Sequence, residues 1–170
     1  MPAIWKFYLA SQLTQEDSIS DYAREKAKEA ISFFGKTDPD LNLAAIYILL
    51  GTENINKSIQ ADAEASELFI NQRWREAGIK YAEAAKLNPL EYTHYENAAI
   101  SNYKFGYYEQ AIPYLKYVID SLNPETGKSE FVLAQVYEKL GDYENACDYI
   151  YLSSKSDYKE SYRLIGEYCK

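Results

Sequence analysis

The chain has 170 residues, 47% of them hydrophobic and 26% charged, with 26 acidic against 18 basic side chains and a formal net charge of −8. That balance excludes a nucleic-acid partner, whose phosphates need a basic footprint, and argues against an anionic membrane surface. Seven glycines and five prolines are few enough to favour helices, and no run approaches the ~18 apolar residues of a membrane span.

Ala3–Leu13, with Ile4, Phe7, Tyr8 and Leu13, reads as a short helix, and Ile4–Leu13 is too short and too polar for a signal-peptide core. With Met1 as the native start the chain is expected in the cytoplasm; with a leader or anchor removed before it, in the periplasm or envelope. The polar Thr14–Ser20 follows. Asp21–Phe34 is helical by its period (Tyr22, Ala27, Ala30, Ile31, Phe34), and Gly35 is a natural stop. Thr37 or Asp38 can cap the next helix, with Pro39 in its first turn and Asp40 complementing its dipole. That helix, Pro39–Leu50, is nearly all apolar from Leu43 onwards, so neighbours on all sides are expected, and it ends at Gly51. Thr52–Asn56 reads as the least structured stretch, and Ser58–Asn71 as a helix.

From there a pattern recurs. Trp74, Ala77, Tyr81 and Ala84, at offsets of 0, 3, 7 and 10, share one helical face, and Pro89 stops the segment. Tyr108 is followed at the same offsets by Ala111, Leu115 and Val118, with Pro124 beyond; Tyr143 is followed by Ala146, Ile150 and Ser153. Nine residues before the three rings stand Ala65, Ala99 and Ala134, and six before stand Leu68, Asn102 and Tyr137. The rings are 34 and 35 residues apart. Gly106-Tyr107-Tyr108 and Gly141-Asp142-Tyr143 read as tight turns between paired helices, so the chain carries an internal helical repeat. Asp157–Cys169 is one more amphipathic helix, through Tyr158, Tyr162, Ile165 and Tyr168.

A helix–turn–helix unit of ~34 residues, with small residues at fixed places, an aromatic opening its second helix and a proline after it, resembles the tetratricopeptide repeat (TPR) family. The resemblance covers three tandem units, 58–91, 92–126 and 127–156, followed by 157–170 as a closing helix. Counting back gives a degenerate unit within 1–57. Departures are Asn102 where Tyr or Leu is usual, Gln72 in place of a turn glycine, and Ser153 for the last small apolar residue; Pro113 is expected to kink its helix mildly. The ending around Ala146-Cys147-Asp148, Leu164-Ile165 and Tyr168-Cys169 is also similar to the ends of TPR proteins of Bacteroidetes-type bacteria. The resemblance implies an all-α fold, a right-handed solenoid of antiparallel helix pairs with about ten helices and a C-terminal capping helix. It also implies a concave groove lined by the first helix of each unit. Carried onto this chain, the groove positions are Asp62, Ser66 and Phe69, then Glu96, Ile100 and Tyr103, then Phe131, Gln135 and Glu138. Within each helix these are i, i+4 and i+7, a single face.

Catalysis finds no constellation. There is no phosphate-binding glycine loop, no nucleophile elbow and no H-E-x-x-H, so the chain is expected to be no enzyme, with no cofactor and no metal. The single histidine, His94, reads as a surface residue. Tyr81, Tyr137 and Tyr143 fall at packing positions, whereas Tyr107, Tyr117, Tyr149 and Tyr151 are expected on the outer face or between units. With the last two helices turning near Lys155, Cys147 faces the neighbourhood of Leu164 and Cys169 lies ~7 Å further along. Two buried thiols are therefore expected in place of a bridge.

The function expected is a non-enzymatic protein–protein interaction module that grips a partner segment through Phe69, Tyr103 and Phe131, with Glu96 and Asp62 setting charge preference. The family's carboxylate clamp for chaperone tails needs Lys, Arg and Asn, and Asp62, Glu96 and Glu138 would repel that ligand. Two alternatives stand beside it. In the first the groove holds the chain's own N-terminal helix, or nothing specific; in the second the array is a structural or assembly part of a bacterial envelope, secretion or polysaccharide-assembly machine.

Overall fold

The computed structural model of the chain describes residues 21–34 and 39–169, and every described element is helical. Two compact units emerge, Met1–Ser58 and Ile59–Lys170. The helix expected over Ala3–Leu13, the stretch Thr14–Ser20, the stop at Gly35 and the caps at Thr37 and Asp38 lie outside the described residues.

In the first unit α1 (Asp21–Phe34) packs against α2 (Pro39–Leu50). Ala23, Ala27 and Ala30 are one helical face, and they bury against Ala45 and Ile48. Small side chains let the two backbones come close. Among the described residues, helix α2 is not enclosed on all sides as expected: Ile46, Tyr47, Leu49 and Leu50 are half-buried. The stretch expected to be least structured, Thr52–Asn56, is helical, since α3 runs from Thr52 to Ile70 without a break. The chain turns at Gly51, and the new helix gains an Asn54 amide bond to the Leu50 carbonyl, a Lys57–Glu53 pair one turn apart and buried contacts at Ile55 and Ser58.

The second unit continues with α4 (Trp74–Leu87), α5 (Tyr92–Phe105), α6 (Tyr108–Tyr117), α7 (Lys128–Leu140), α8 (Tyr143–Lys155) and α9 (Lys159–Tyr168). From α4 onwards each helix packs against the next. Nine α-helices are thus present among the described residues, and α6, which contains Pro113, runs on into a π-helical turn at Val118–Leu122. Gly106 and Gly141 take the left-handed conformation that ends α5 and α7, as the turn motifs require. Gln72 adopts the same conformation with φ 59° at the corresponding corner, so the backbone turn survives without its glycine.

Residues at offsets 3, 7 and 10 from the three rings form the core. Ala77, Tyr81 and Ala84, then Ala111, Leu115 and Val118, then Ala146, Ile150 and Ser153 are all buried. The rings themselves behave differently. Trp74 packs edge-on to Phe69, with centroids 4.7 Å apart, whereas Tyr143, expected in the core, is 59% exposed. It follows the Asp142 cap directly, at a helix corner where its ring points outward. Tyr149 moves the other way: it is half-buried and stacks on Tyr137 with centroids 5.6 Å apart. Ser153 satisfies its buried hydroxyl by donating to the Gly127 carbonyl at 2.6 Å, with Ser161 Oγ also at 2.6 Å. Gly127 has no room for a side chain: its φ is +71°, and a Cβ would sit 2.7 Å from the Ser153 carbonyl oxygen.

Cys147 and Cys169, expected as thiols, form a disulfide with Cα atoms 4.9 Å apart. The turn lies later than expected. Helix α8 runs to Lys155 and α9 begins only at Lys159, so the chain folds back about Asp157, not Lys155. That shift puts Cys147 opposite the neighbourhood of Glu167, next to Cys169.

Candidate binding surface

The nine groove positions lie on alternate helices, α3, α5 and α7, and polar side chains tie these helices directly to one another. The His94 imidazole N–H, at the start of α5, donates from Nδ1 to Asp62 Oδ1 on α3 at 3.0 Å. At the start of α7, Ser129 Oγ donates to Glu96 Oε1 on α5 at 2.6 Å, and Lys128 Nζ stands 2.9 Å from Glu96 Oε2. The bonded residues are 32 and 33 positions apart, so helices nearly one repeat apart lie side by side.

Two sequence expectations change here. His94 is 6% exposed, not a surface residue. Glu96 is 1% exposed and cannot offer its charge to a ligand. Burying a carboxylate is costly unless both oxygens are met, and Ser129 and Lys128 meet them. Asp62 and Glu96 are 34 residues apart and hold the same place in successive units; their partners His94 and Ser129 are 35 apart and do likewise. The tie therefore recurs with the repeat. In the third unit Phe131 takes the acid's place, and its ring packs on Tyr158 with centroids 5.0 Å apart.

The remaining six positions are all half-buried. Ser66 Oγ is 3.0 Å from the Tyr81 hydroxyl, and Phe69 makes its edge contact with Trp74. Ile100 and Tyr103 pack on the large core cluster, and the Tyr103 ring lies 5.6 Å from that of Tyr108. Glu138 pairs with Lys139 at 2.9 Å, and Gln135 completes the face one turn earlier. Each of the three expected apolar anchors, Phe69, Tyr103 and Phe131, thus rests on a ring of its own.

At one end of this face Tyr103, Glu138, Lys139 and Tyr168 feel one another's charge. Burial is the main cause that holds the Tyr103 phenol above its usual value. Burial, then the nearby Glu138 carboxylate, pushes the Tyr168 phenol up to about 12. The hydrogen bond to Glu138 raises the Lys139 ammonium above its ordinary range. Near the start of α5, burial followed by the Tyr117 phenol pushes Tyr95 up to about 12. These phenols stay protonated and neutral at ordinary pH, as donors and apolar rings.

The face offers aromatic and aliphatic area, a carboxamide and hydroxyls. Among the described residues no group of three or more His, Cys, Asp or Glu is arranged to hold a metal ion, and no helix is long and apolar enough to cross a membrane. His94, Lys128 and Ser129 were not legible as functional residues one at a time. Their signal was the pairing of an acid in one unit with a donor about one repeat later. No protein-family model matches the chain, and no curated protein matches it.

Proposed function

We propose that 59–170 is a TPR-type array of antiparallel helix pairs that works as a non-enzymatic interaction module, gripping an extended partner segment along α3, α5 and α7. One observation carries the reading. The ties Asp62–His94 and Glu96–Ser129 set alternate helices side by side at the period of the repeat, which aligns their half-exposed side chains into one face. The ties occupy Asp62 and Glu96, and Phe131 rests on Tyr158. The partner therefore meets the second and third positions of each unit: Ser66 and Phe69, Ile100 and Tyr103, Gln135 and Glu138. Phe69, Ile100 and Tyr103 supply apolar anchors, and Gln135 pairs with the partner's backbone.

The test is affinity capture with the full chain and with a Tyr103→Ala, Gln135→Ala variant, each checked for an unchanged helical signal by circular dichroism. The reading expects one or more partners recovered by the full chain to be lost with the folded variant. Capture of the same proteins in the same amounts would contradict it.

The disulfide favours a second reading. Such bonds persist in oxidising compartments, the bacterial periplasm among them, which suits an assembly part of an envelope, secretion or polysaccharide machine. Deleting Met1–Ser20 separates the two readings: lost assembly with intact partner capture favours the second.

A further inference from the structure

The last helix described in the second unit is short. Helix α9 has ten residues, and isolated helices of that length are marginal in water. Its first residue follows Tyr158, which makes no side-chain cap bond. Only Ser161, Leu164 and Tyr168 are buried. Leu164 and Tyr168 belong to the same core cluster as Val132, Leu133, Val136 and Tyr137 of α7 and Ile150 of α8. The outer side carries Lys159, Glu160, Tyr162, Arg163 and Glu167 in solvent. What holds the far end of this helix is covalent: Cys169, just past α9, is bonded to Cys147 in the second turn of α8, 22 residues back. Both cysteines are half-buried, so solvent reaches them.

We propose that Cys147–Cys169 is a redox latch on α9. Oxidised, it keeps α9 closed over the apolar side chains of α7 and α8. A dithiol reductant opens it: the S–S bond breaks, each sulfur gains a proton and an electron, and the dithiol is oxidised to its own disulfide. With the latch open the helix keeps only non-covalent contacts: the buried Ser161, Leu164 and Tyr168, the half-buried Ile165, and the Tyr162 hydroxyl donating to the Ser154 carbonyl. It detaches in equilibrium, uncovering Leu133, Val136 and Tyr137 while the helices before α7 keep their structure. The latch therefore controls how much apolar surface this end of the unit shows.

Hydrogen exchange on the full chain, with and without dithiothreitol, tests this, alongside thiol counting by maleimide labelling. The oxidised chain shows no free thiol, and the reduced chain shows two. On reduction, exchange across Lys159–Tyr168 rises about three hundredfold, the scale set by closing a loop of this length. Exchange in α7 and α8 rises less, and in α4 and α5 it is unchanged. A Cys147→Ser, Cys169→Ser variant shows the same pattern without reductant. Three results would overturn the latch: verified reduction with no change in α9, an equal rise throughout 59–170, or two thiols that oxidised glutathione does not join.

Discussion

Two sets of repeating positions hold the Ile59–Lys170 unit together, and they differ in kind. The packing set, at offsets 3, 7 and 10 from each ring, is small or apolar in almost every unit and buried in every one. Here the environment asks only for volume and hydrophobicity, so similar residues recur. The tie set, Asp62, Glu96 and Phe131, changes its chemistry from unit to unit: a carboxylate with an imidazole, a carboxylate with a hydroxyl and an ammonium, then two rings. Each tie needs only a complementary partner one helix away. Repetition in sequence therefore marks where the fold is built, while the binding face proposed above lies among positions whose residues change from unit to unit.

Breaking the packing set should cost most. Leu115→Ala removes a fully buried side chain at the centre of the larger core cluster and should destabilise the chain by about 2–5 kcal/mol, read from the midpoint shift in urea unfolding. A loss under 1 kcal/mol would mean the site collapses freely and is not packed as described. The ties should cost less. Ser129→Ala strips one hydrogen bond from the buried Glu96 carboxylate but leaves Lys128 in place, so about 1–3 kcal/mol is expected in the same assay. Substituting cysteine or threonine, which retain a donor, should recover part of it.

The smallest effect lies outside both sets and depends on pH. Tyr95 and Tyr168 both have phenols pushed up to about 12 from an ordinary value near 10, chiefly by burial. A group that holds its proton more tightly when folded stabilises the fold fully below its unfolded value and loses that contribution as the pH rises through its folded value. Thermal midpoints should therefore hold steady up to about pH 10 and fall between there and pH 12. Tyr168→Phe should soften the fall, because the titrating hydroxyl is gone. A midpoint that keeps rising through that range would contradict the burial described.

Much of the fold was legible because it depends on period. Helix α2 ends at Leu50, where the Gly51 signal indicates, and the rings and alanines locate α4, α6 and α8. Misreadings arose where a local signal met a tertiary partner. Thr52–Asn56 looks polar and loose, yet its side chains pair one turn apart and Ile55 is buried. Tyr143 sits at a ring position but opens its helix at an exposed corner. The disulfide escaped because its register turns on a three-residue connection, in which Asp157 takes a positive φ that no sequence pattern announces. On the candidate face, Phe69, Ile100 and Tyr103 are positions that the family resemblance implies, and their spacing puts Ile100 and Tyr103 on one helical face. The burial of Glu96 could not be read from spacing, because it depends on Lys128 and Ser129 more than thirty residues away.

The most direct test is a hydrogen-exchange footprint of a captured partner on the full chain. Protection concentrated on α3, α5 and α7, at 66–69, 100–103 and 135–138, is the predicted result. Protection confined to α4, α6 and α8, with those three stretches unchanged, would contradict the assignment of the binding face.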